Sequence, residues 1–391
     1  MDGPRGGPVR HRRRSRGDVH RGARARRSYV QSLDKADDAG FFYLHSSSGT
    51  VLDVTGRYAV VNGSSPAKQY VGDLGVHTDL QPVLTRSVTA ASVWGSKAVD
   101  PGSGTGVVAA KDLRTGKTTD TVTIGAPCVP KELQVVGRWI YWSCGPAATA
   151  GVWDRTAKKK ISVPSGQALL GDGYLVRHDT ASGALLLTSF AGGTATTRTI
   201  GTLAAGTLSV RGVNWTVDKF GGPVAYVDAD HRIHLVPSGV AAQPLGAVDS
   251  EVTGNTLENM LDGSLWWQWG GLLSKPAASW TATVTRKATG AVVRTLGGGE
   301  VHGNLTARWD KRDAKGALVP DGTYTFKLTA RPADGSGVPL TVTQTVKVSD
   351  GRWRAATSPA AAGPNSTGSA TSWSARRTET SAIGRATARA P

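Results

Sequence analysis

The sequence predicts an all-β protein in which a β-propeller-like repeat domain is followed by a small β-sandwich, with disordered termini. Three observations support this fold class. The chain contains 50 glycines, is rich in threonine and valine, and has little helix-type periodicity. Short strand patterns recur through its middle, and strict two-residue alternation marks two strands near its C-terminal end. We expect four segments, residues 1–40, 41–275, 276–350 and 351–391.

The two terminal segments are predicted to be disordered because they contain too few apolar residues to form a core. They also carry most of the charge. Residues 1–30 hold ten Arg and two Asp (+8) and residues 351–391 hold six Arg and one Glu (+5), which leaves +4 of the total +17 for the rest. A nucleic-acid partner is therefore not expected for the folded part, which lacks a basic face. The tails could be solvated chain, arms for nucleic acid or membranes, or the product of a shifted reading frame.

The segment 41–275 is predicted to be a propeller because a short strand motif recurs in it. A glycine that precedes an aromatic, apolar strand occurs at four positions: Gly56, Gly137, Gly173 and Gly212. Each motif is followed by a polar turn and a further strand, and four strands in about 40 residues is the pattern of a propeller blade. The segment resembles WD-like and quinoprotein-type propellers only loosely. It has room for five or six blades, and a second set of β-sandwiches is the alternative architecture.

The two cysteines, Cys128 and Cys144, flank a predicted hairpin whose two-residue turn is Gly137-Arg138. The hairpin brings its ends together, so we expect a disulfide that closes a loop of about 15 residues and stabilises the fold by roughly 3 kcal/mol. Two buried free thiols are the alternative. Their spacing fits no zinc site.

A tryptophan cluster near the end of the expected propeller is a candidate ligand platform. Trp266, Trp267 and Trp269 could stack on a sugar ring. Because neighbouring residues of a strand point to opposite faces, at least one of Trp266 and Trp267 is expected in the core.

No catalytic, metal or cofactor site is predicted. His231 and His234 lie three residues apart in a strand-like pattern, which places them on opposite faces, where they cannot share an ion. The sequence has no Gly-x-Ser-x-Gly nucleophile elbow. Acidic residues of the repeats are expected to be solvated turn residues; these are Asp154, Asp179 and Asp228. A carboxylate pair formed in space remains open, because spacing along the chain does not reveal it.

The segment 276–350 is predicted to be an antiparallel sandwich because its apolar residues alternate. One strand buries Leu305, Ala307 and Trp309, and the next buries Tyr324, Phe326, Leu328 and Ala330. Turn-forming residues separate the two strands. The segment therefore contains packing and turn residues but no chemistry.

The same stretch resembles the Ig-like module of the flagellar hook-capping protein, which recurs at the C-termini of secreted bacterial proteins. The residues that carry the resemblance are Trp309, Asp310, Asp313, Gly316, Pro320, Gly322 and Tyr324. One departure is Lys311, where the family usually has Gly. If that position requires a positive φ, a lysine costs about 1 kcal/mol.

Together these features predict a non-catalytic binding or structural protein that is secreted or displayed at the cell surface. The propeller face would bind a protein or a cell-wall polysaccharide, and the Ig-like module would be a spacer. A polysaccharide hydrolase or lyase is the alternative. No signal-peptide h-region is visible, and no run approaches the roughly 20 apolar residues of a membrane span. Export is expected from the cysteine pair and from what the resemblance implies.

Overall fold

The structure is a computed structural model that describes residues 28–31, 41–75, 80–204, 211–254 and 266–349. These residues form 28 strands and no helix, which confirms the all-β prediction. The predictions for residues 1–27 and 350–391 lie outside the described residues. Within the segment predicted to be disordered, β1 (Ser28–Gln31) forms a strand because it pairs with β2 (Phe41–Leu44) in an antiparallel sheet.

Five antiparallel sheets follow in chain order, and each is a meander of consecutive strands. The first contains β3 (Gly49–Thr55), β4 (Tyr58–Gly63), β5 (Lys68–Asp73) and β6 (Leu84–Ser87). The second contains β7 (Ser92–Trp94), β8 (Lys97–Pro101), β9 (Val107–Asp112) and β10 (Thr118–Thr123). The third contains β11 (Glu132–Val136), β12 (Trp139–Ser143), β13 (Ala150–Asp154) and β14 (Lys159–Val163).

The fourth sheet contains β15 (Ala168–Leu170), β16 (Tyr174–His178), β17 (Ala184–Ser189) and β18 (Thr196–Thr202). The fifth has three strands among the described residues, β19 (Trp215–Val217), β20 (Val224–Val227) and β21 (Ile233–Val236). Four strands within about 40 residues is the blade pattern that the sequence predicts.

Successive sheets share their hydrophobic cores. Trp142 of the third sheet packs with Val108 of the second, on one face. On the other face, Trp139 packs with Phe190 of the fourth sheet, and the two ring centroids lie 5.0 Å apart. The other neighbouring sheets share cores in the same way. Sheets stacked face to face in chain order form a propeller-like domain.

The first and fifth sheets meet where the first strands of the blades lie side by side. β3, β7, β11, β15 and β19 contact one another in that order. Lys219, in the turn after β19, forms an ion pair with Asp53 of β3. Next to it, Phe220 stacks on Trp94 of the second sheet at a centroid distance of 5.4 Å. The β19–β20 turn therefore connects the last blade to the first two.

The free face of the first sheet is covered by β2. Phe42 and Leu44 are buried there against Val61 and Tyr70. The close approach depends on Gly72, where a Cβ atom would lie 2.0 Å from the ring of Phe42. The two-stranded β1–β2 sheet thus occupies the position in front of the first of five blades.

Three of the four recurring glycines lie at equivalent places. Gly56, Gly137 and Gly173 have φ values of 56°, 55° and 81° and precede the second strand of their blades. Gly212, with a φ of 74°, precedes β19, the first described strand of the fifth blade.

The C-terminal sandwich is built from seven strands. They are β22 (Ala247–Thr253), β23 (Trp267–Leu273), β24 (Ala277–Arg286), β25 (Val292–Gly298), β26 (Asn304–Trp309), β27 (Gly322–Pro332) and β28 (Leu340–Val348). One sheet has the order β22-β23-β26 and the other β25-β24-β27-β28. The seven residues predicted to alternate into the core are at most 1% exposed, which confirms that pattern.

The strand that carries Trp267 and Trp269 belongs to this sandwich. Trp267 pairs with Trp309 of β26, and both tryptophans of β23 lie in the sandwich core. The prediction that the tryptophan cluster ends the last blade is therefore wrong, because alternation reveals a buried face but not the sheet that covers it. We propose that the sandwich begins at Ala247, before the predicted limit at 276.

Candidate functional site

A groove of about 790 Å³ lies between the second and third blades. The second blade contributes its last strand, β10, from Asp120 to Thr123. The third blade contributes two turns, one at Gly137-Arg138 and one after Trp153. The volume falls within the usual range of ligand sites, roughly 300–1,000 Å³. We call this site the blade 2–3 groove.

The second of these turns is shaped by Asp154. Its Oδ1 accepts hydrogen bonds from the backbone N–H groups of Thr156, at 2.9 Å, and Ala157, at 3.0 Å. This is an Asx-type turn, and it places Arg155 and Lys158 along the groove. Lys158 has a φ of 50°, a conformation uncommon for residues other than glycine. Asp154 was predicted to be solvated, but it is 5% exposed because it organises the turn from inside.

Arg138 is held in a fixed orientation at one end of the groove. Its guanidinium carbon lies 4.2 Å from the ring centroid of Trp139, a cation–π contact. Its Nε lies 3.6 Å from Oδ2 of Asp154. The side chain therefore contributes a positive charge with restricted motion.

Asp120 is the one carboxylate among the described residues that line the groove. Its Oδ2 accepts a hydrogen bond from Nη2 of Arg155 at 3.2 Å. Glycoside hydrolysis generally needs two carboxyl groups on either side of the scissile bond. The groove lacks such a pair within the part of the chain that the structure describes.

Trp153 adds an aromatic surface to the groove. The residue is half-buried: it packs against the core between the second and third blades and also lines the cavity. Thr121, Thr123 and Thr156 are also among the residues that line this space. Aromatic, cationic and hydroxyl groups together can bind a polar ligand that has an apolar face. Sequence reasoning did not identify Trp153 as a ligand contact; the available signal was its position beside Arg155 and Lys158.

The carboxylate of Asp53, on the first strand of the first blade, forms structural hydrogen bonds and an ion pair. Asp53 accepts hydrogen bonds from Oγ of Ser92 and from the N–H of Val93, the latter at 2.9 Å. Its other oxygen forms the ion pair with Lys219. Ser92 Oγ in turn accepts the N–H of Val135 of β11, at 2.9 Å. Asp53 thus links three blades.

Two of the three tryptophans predicted to stack on a ligand are inaccessible. Trp267 is 0% and Trp269 is 1% exposed, so no sugar ring can reach them. That prediction is corrected by the pairing of β23 with β26, which directs both indoles into the sandwich. Trp266 is partly exposed, with the guanidinium carbon of Arg308 4.6 Å from its ring centroid. A ligand role for Trp266 stays a prediction.

The two histidines of the fifth blade lie in different elements and not in one strand. His234 accepts or donates a 2.6 Å hydrogen bond with Asp228 and stacks on Tyr226 at 4.7 Å. His231 lies in the preceding turn with a φ of 60°. Among the described residues, no group of three or more His, Cys, Asp or Glu is arranged to hold a metal ion.

The predicted disulfide between Cys128 and Cys144 is present, with a Cα–Cα distance of 5.9 Å. The hairpin between the two cysteines has its turn at Gly137-Arg138, as predicted. The disulfide therefore ties the loop that enters the third blade to the end of β12.

The residues of the Ig-like motif form turns and anchors. Nε1 of Trp309 donates to the carbonyl of Arg312 at 2.9 Å, and the hydroxyl of Tyr324 donates to the carbonyl of Pro320 at 2.6 Å. Oδ1 of Asp313 accepts the N–H of Ala317 at 2.9 Å. These contacts fix the connection between β26 and β27. They provide no chemical group for a reaction.

Lys311, which departs from the family pattern, has a φ of 57°. Lys311 therefore has the positive φ at which a residue other than glycine is strained. The side chain is also buried, and burial lowers the pKa of its ammonium group because it disfavours the charged form.

The sandwich is docked against the first two blades through β22. Nη2 of Arg114 lies 2.7 Å from Oδ2 of Asp249, and Nη1 of Arg57 lies 3.3 Å from Oε2 of Glu251. Within the sandwich, the buried Lys275 donates to both carboxylate oxygens of Asp334, at 3.1 and 2.9 Å. The sandwich therefore holds a defined position beside the propeller-like domain.

Comparison with known proteins confirms the Ig-like resemblance. Residues 254–334 match the family model of the FlgD Ig-like domain. Two curated relatives, the basal-body rod modification protein FlgD of Salmonella typhimurium and that of Salmonella typhi, are each 35% identical over 97 residues, or 25% of this chain. The chain spans 37% of the length of each of these relatives.

Solved structures similar to the chain include BamB from Moraxella catarrhalis and U3-55K. BamB has 15% identity and a TM-score of 0.32, with 63% of this chain and 79% of BamB covered. U3-55K has 11% identity and a TM-score of 0.30, with 44% and 61% covered. The propeller-like assignment follows from the strand order and the shared cores described above. In the described part of the chain, no helix is long and apolar enough to cross a membrane.

Proposed function

We propose that this protein is a non-catalytic binding protein of the cell surface or extracellular space, and that its propeller-like domain binds ligand in the blade 2–3 groove. The observation that carries the proposal is the lining of the groove. Trp153 and three cationic side chains surround it, while its carboxylate, Asp120, is paired with Arg155. This combination of lining side chains favours ligand binding over acid–base catalysis.

An extracellular location is supported by the Cys128–Cys144 disulfide, because such bonds persist in oxidising compartments. The match of residues 254–334 to a FlgD-type module is compatible with that location. We propose that the sandwich serves as an attachment module held against the propeller-like domain, because ion pairs of Arg57 and Arg114 fix β22 there. This differs from a freely moving spacer.

The binding function is tested with the full chain against a panel of neutral and acidic cell-wall polysaccharides, by affinity electrophoresis. Two variants discriminate the site. Trp153→Ala removes the aromatic surface of the groove, and Trp266→Ala removes a partly exposed tryptophan outside it. We expect Trp153→Ala to weaken retardation at least about tenfold, because an aromatic stacking contact contributes a large share of such binding.

Trp266→Ala should leave the binding unchanged. Loss of polysaccharide binding in Trp266→Ala alone would place the binding site on the sandwich and would contradict a site in the groove. Absence of retardation by every polysaccharide would contradict glycan binding altogether. Thermal unfolding of both variants, followed by near-UV circular dichroism, verifies that each retains the native fold.

A further inference from the structure

The charge of the blade 2–3 groove points to the class of ligand. Arg138, Arg155 and Lys158 line the groove together with a single carboxylate, Asp120. We infer that the groove binds an acidic glycan, by which we mean a polymer of sugar or sugar-alcohol units that carry carboxylate or phosphate groups. This inference rests on the binding function proposed above and narrows it to anionic ligands.

Lys158 is the cation most available to a ligand. It is exposed, and among the described residues it forms no ion pair. The turn organised by Asp154 holds its backbone at a φ of 50°, so the residue keeps a defined place on the groove wall. An ammonium group in this position can approach a ligand anion without first breaking an internal contact.

Arg155 retains hydrogen-bond donors for the same anion. One of its terminal nitrogens binds Asp120 at 3.2 Å. A guanidinium group has five N–H donors, so this contact leaves others for a ligand oxygen. Charge-assisted hydrogen bonds of this kind are about twice as strong as neutral ones.

The remaining lining suits the sugar part of such a polymer. Trp153 presents part of its indole to the groove, on which the apolar face of a pyranose can stack. Thr156, which lines the groove, has a hydroxyl group that can both donate to and accept from sugar hydroxyls. Aromatic, hydroxyl and cationic groups thus lie within one groove, as an acidic sugar requires.

Single-stranded nucleic acid also combines anions with stacking rings. It is disfavoured because a nucleic-acid site needs a basic stripe that follows many phosphates. The positive charge here is local to the groove, while residues 31–350 carry only +4 by subtraction of the two terminal segments (+8 and +5) from +17. The acidic glycan is therefore the better match.

The test uses isothermal titration calorimetry of the full chain with three oligomers, and with oligo-dT as the nucleic-acid comparison. Oligogalacturonate carries carboxylates, its methyl ester has the same backbone without charge, and a glycerol-phosphate oligomer carries phosphates. Lys158→Gln removes one positive charge from the groove, and Lys287→Gln removes one from an exposed site on the sandwich. The matched pair is needed because the Arg-rich terminal segments also attract polyanions.

We expect at least one acidic oligomer to bind about tenfold more tightly than the ester, and Lys158→Gln to weaken that binding about fivefold. Lys287→Gln should have little effect. Tighter binding of oligogalacturonate would identify the ligand anion as a carboxylate, and tighter binding of the glycerol-phosphate oligomer would identify it as a phosphate. Equal losses in the two variants, or tighter Lys158-dependent binding of oligo-dT, would overturn the inference.

The narrower and the broader proposals fail in different ways. If the neutral ester binds as tightly as the acid and Trp153→Ala abolishes both, the acidic class is wrong while the binding function stands. If neither the three oligomers nor the polysaccharide panel bind in a Trp153-dependent manner, both proposals are wrong.

Discussion

Lys219 of the fifth blade and Asp53 of the first form an ion pair across 166 residues of sequence. Both side chains are largely buried, and the same carboxylate accepts hydrogen bonds from Ser92 and Val93 of the second blade. One aspartate thus joins the first and fifth sheets to the second.

Asp53→Ala is expected to destabilise the fold by about 2–4 kcal/mol, because it leaves a buried ammonium and two donors without their acceptor. Lys219→Met should lower the free energy of unfolding by less, since it removes the positive charge and keeps the aliphatic part of the side chain. Urea unfolding of the full chain measures both. A loss below about 0.5 kcal/mol for Asp53→Ala would contradict a joining role.

Lys311→Gly is expected to stabilise the sandwich by about 1 kcal/mol. The substitution relieves a φ of 57° and removes a buried ammonium group. Lys315→Gly, in the same connection but without a positive φ, is the matched control and should destabilise slightly through unfolded-state entropy. Stabilisation by both variants, measured by thermal unfolding, would contradict the strain argument.

The Lys275–Asp334 contact is expected to make stability depend on acid pH. Burial alone would raise the pKa of Asp334, but hydrogen bonds from Lys275 and Ser336 outweigh it and lower the pKa to about 2. A lowered pKa contributes stability above the unfolded value of about 3.9, and the contribution is lost as pH falls from about 4 to 2. Because the Asp334 side chain is 42% exposed, we expect only about 1 kcal/mol.

Asp334→Asn provides the measurement for that window. The difference in unfolding free energy between the parent and this variant should shrink between pH 5 and about pH 2.5. A difference that stays constant over this range would show that the carboxylate does not titrate with folding.

Reduction of the Cys128–Cys144 disulfide is expected to destabilise the fold by about 3 kcal/mol, since the bond closes a loop of 16 residues. Thermal unfolding with and without dithiothreitol measures the effect, and Cys128→Ser/Cys144→Ser is the control that should no longer respond. An unchanged midpoint on reduction of the parent protein would contradict a stabilising role.

Trp267→Ala is expected to cost about 3–5 kcal/mol, because it opens a cavity in the sandwich core. Trp266→Ala, one residue earlier and partly exposed, should cost far less. Urea unfolding of the pair tests whether β23 belongs to the sandwich. Equal losses of unfolding free energy in the two variants would contradict the placement of Trp266 and Trp267 on opposite faces of the sheet.

Local patterns predicted most of the strands and turns, because the signals lie within a few residues. The hairpin from Glu132 to Ser143 is an example, since a two-residue turn between two apolar strands fixes its register. The same logic failed for Trp267, whose partner Trp309 lies 42 residues later in the chain. Alternation shows that one face is buried but not which sheet covers it.

The groove could not be predicted, because its parts come from different blades. Asp120 and Arg155 lie 35 residues apart in sequence and belong to different sheets. Sequence reasoning assigned Asp154 and Arg155 to a turn, which is correct, and missed that the turn faces a neighbouring strand. The packing of one blade against the next creates the site.

Hydrogen–deuterium exchange of the full chain, with and without oligogalacturonate and the glycerol-phosphate oligomer, tests the central claim most directly. The account predicts slower exchange in residues 118–123 and 153–160, which form the two walls of the groove. Protection confined to the Arg-rich terminal segments or to residues 266–273, with the groove walls unchanged, would contradict it.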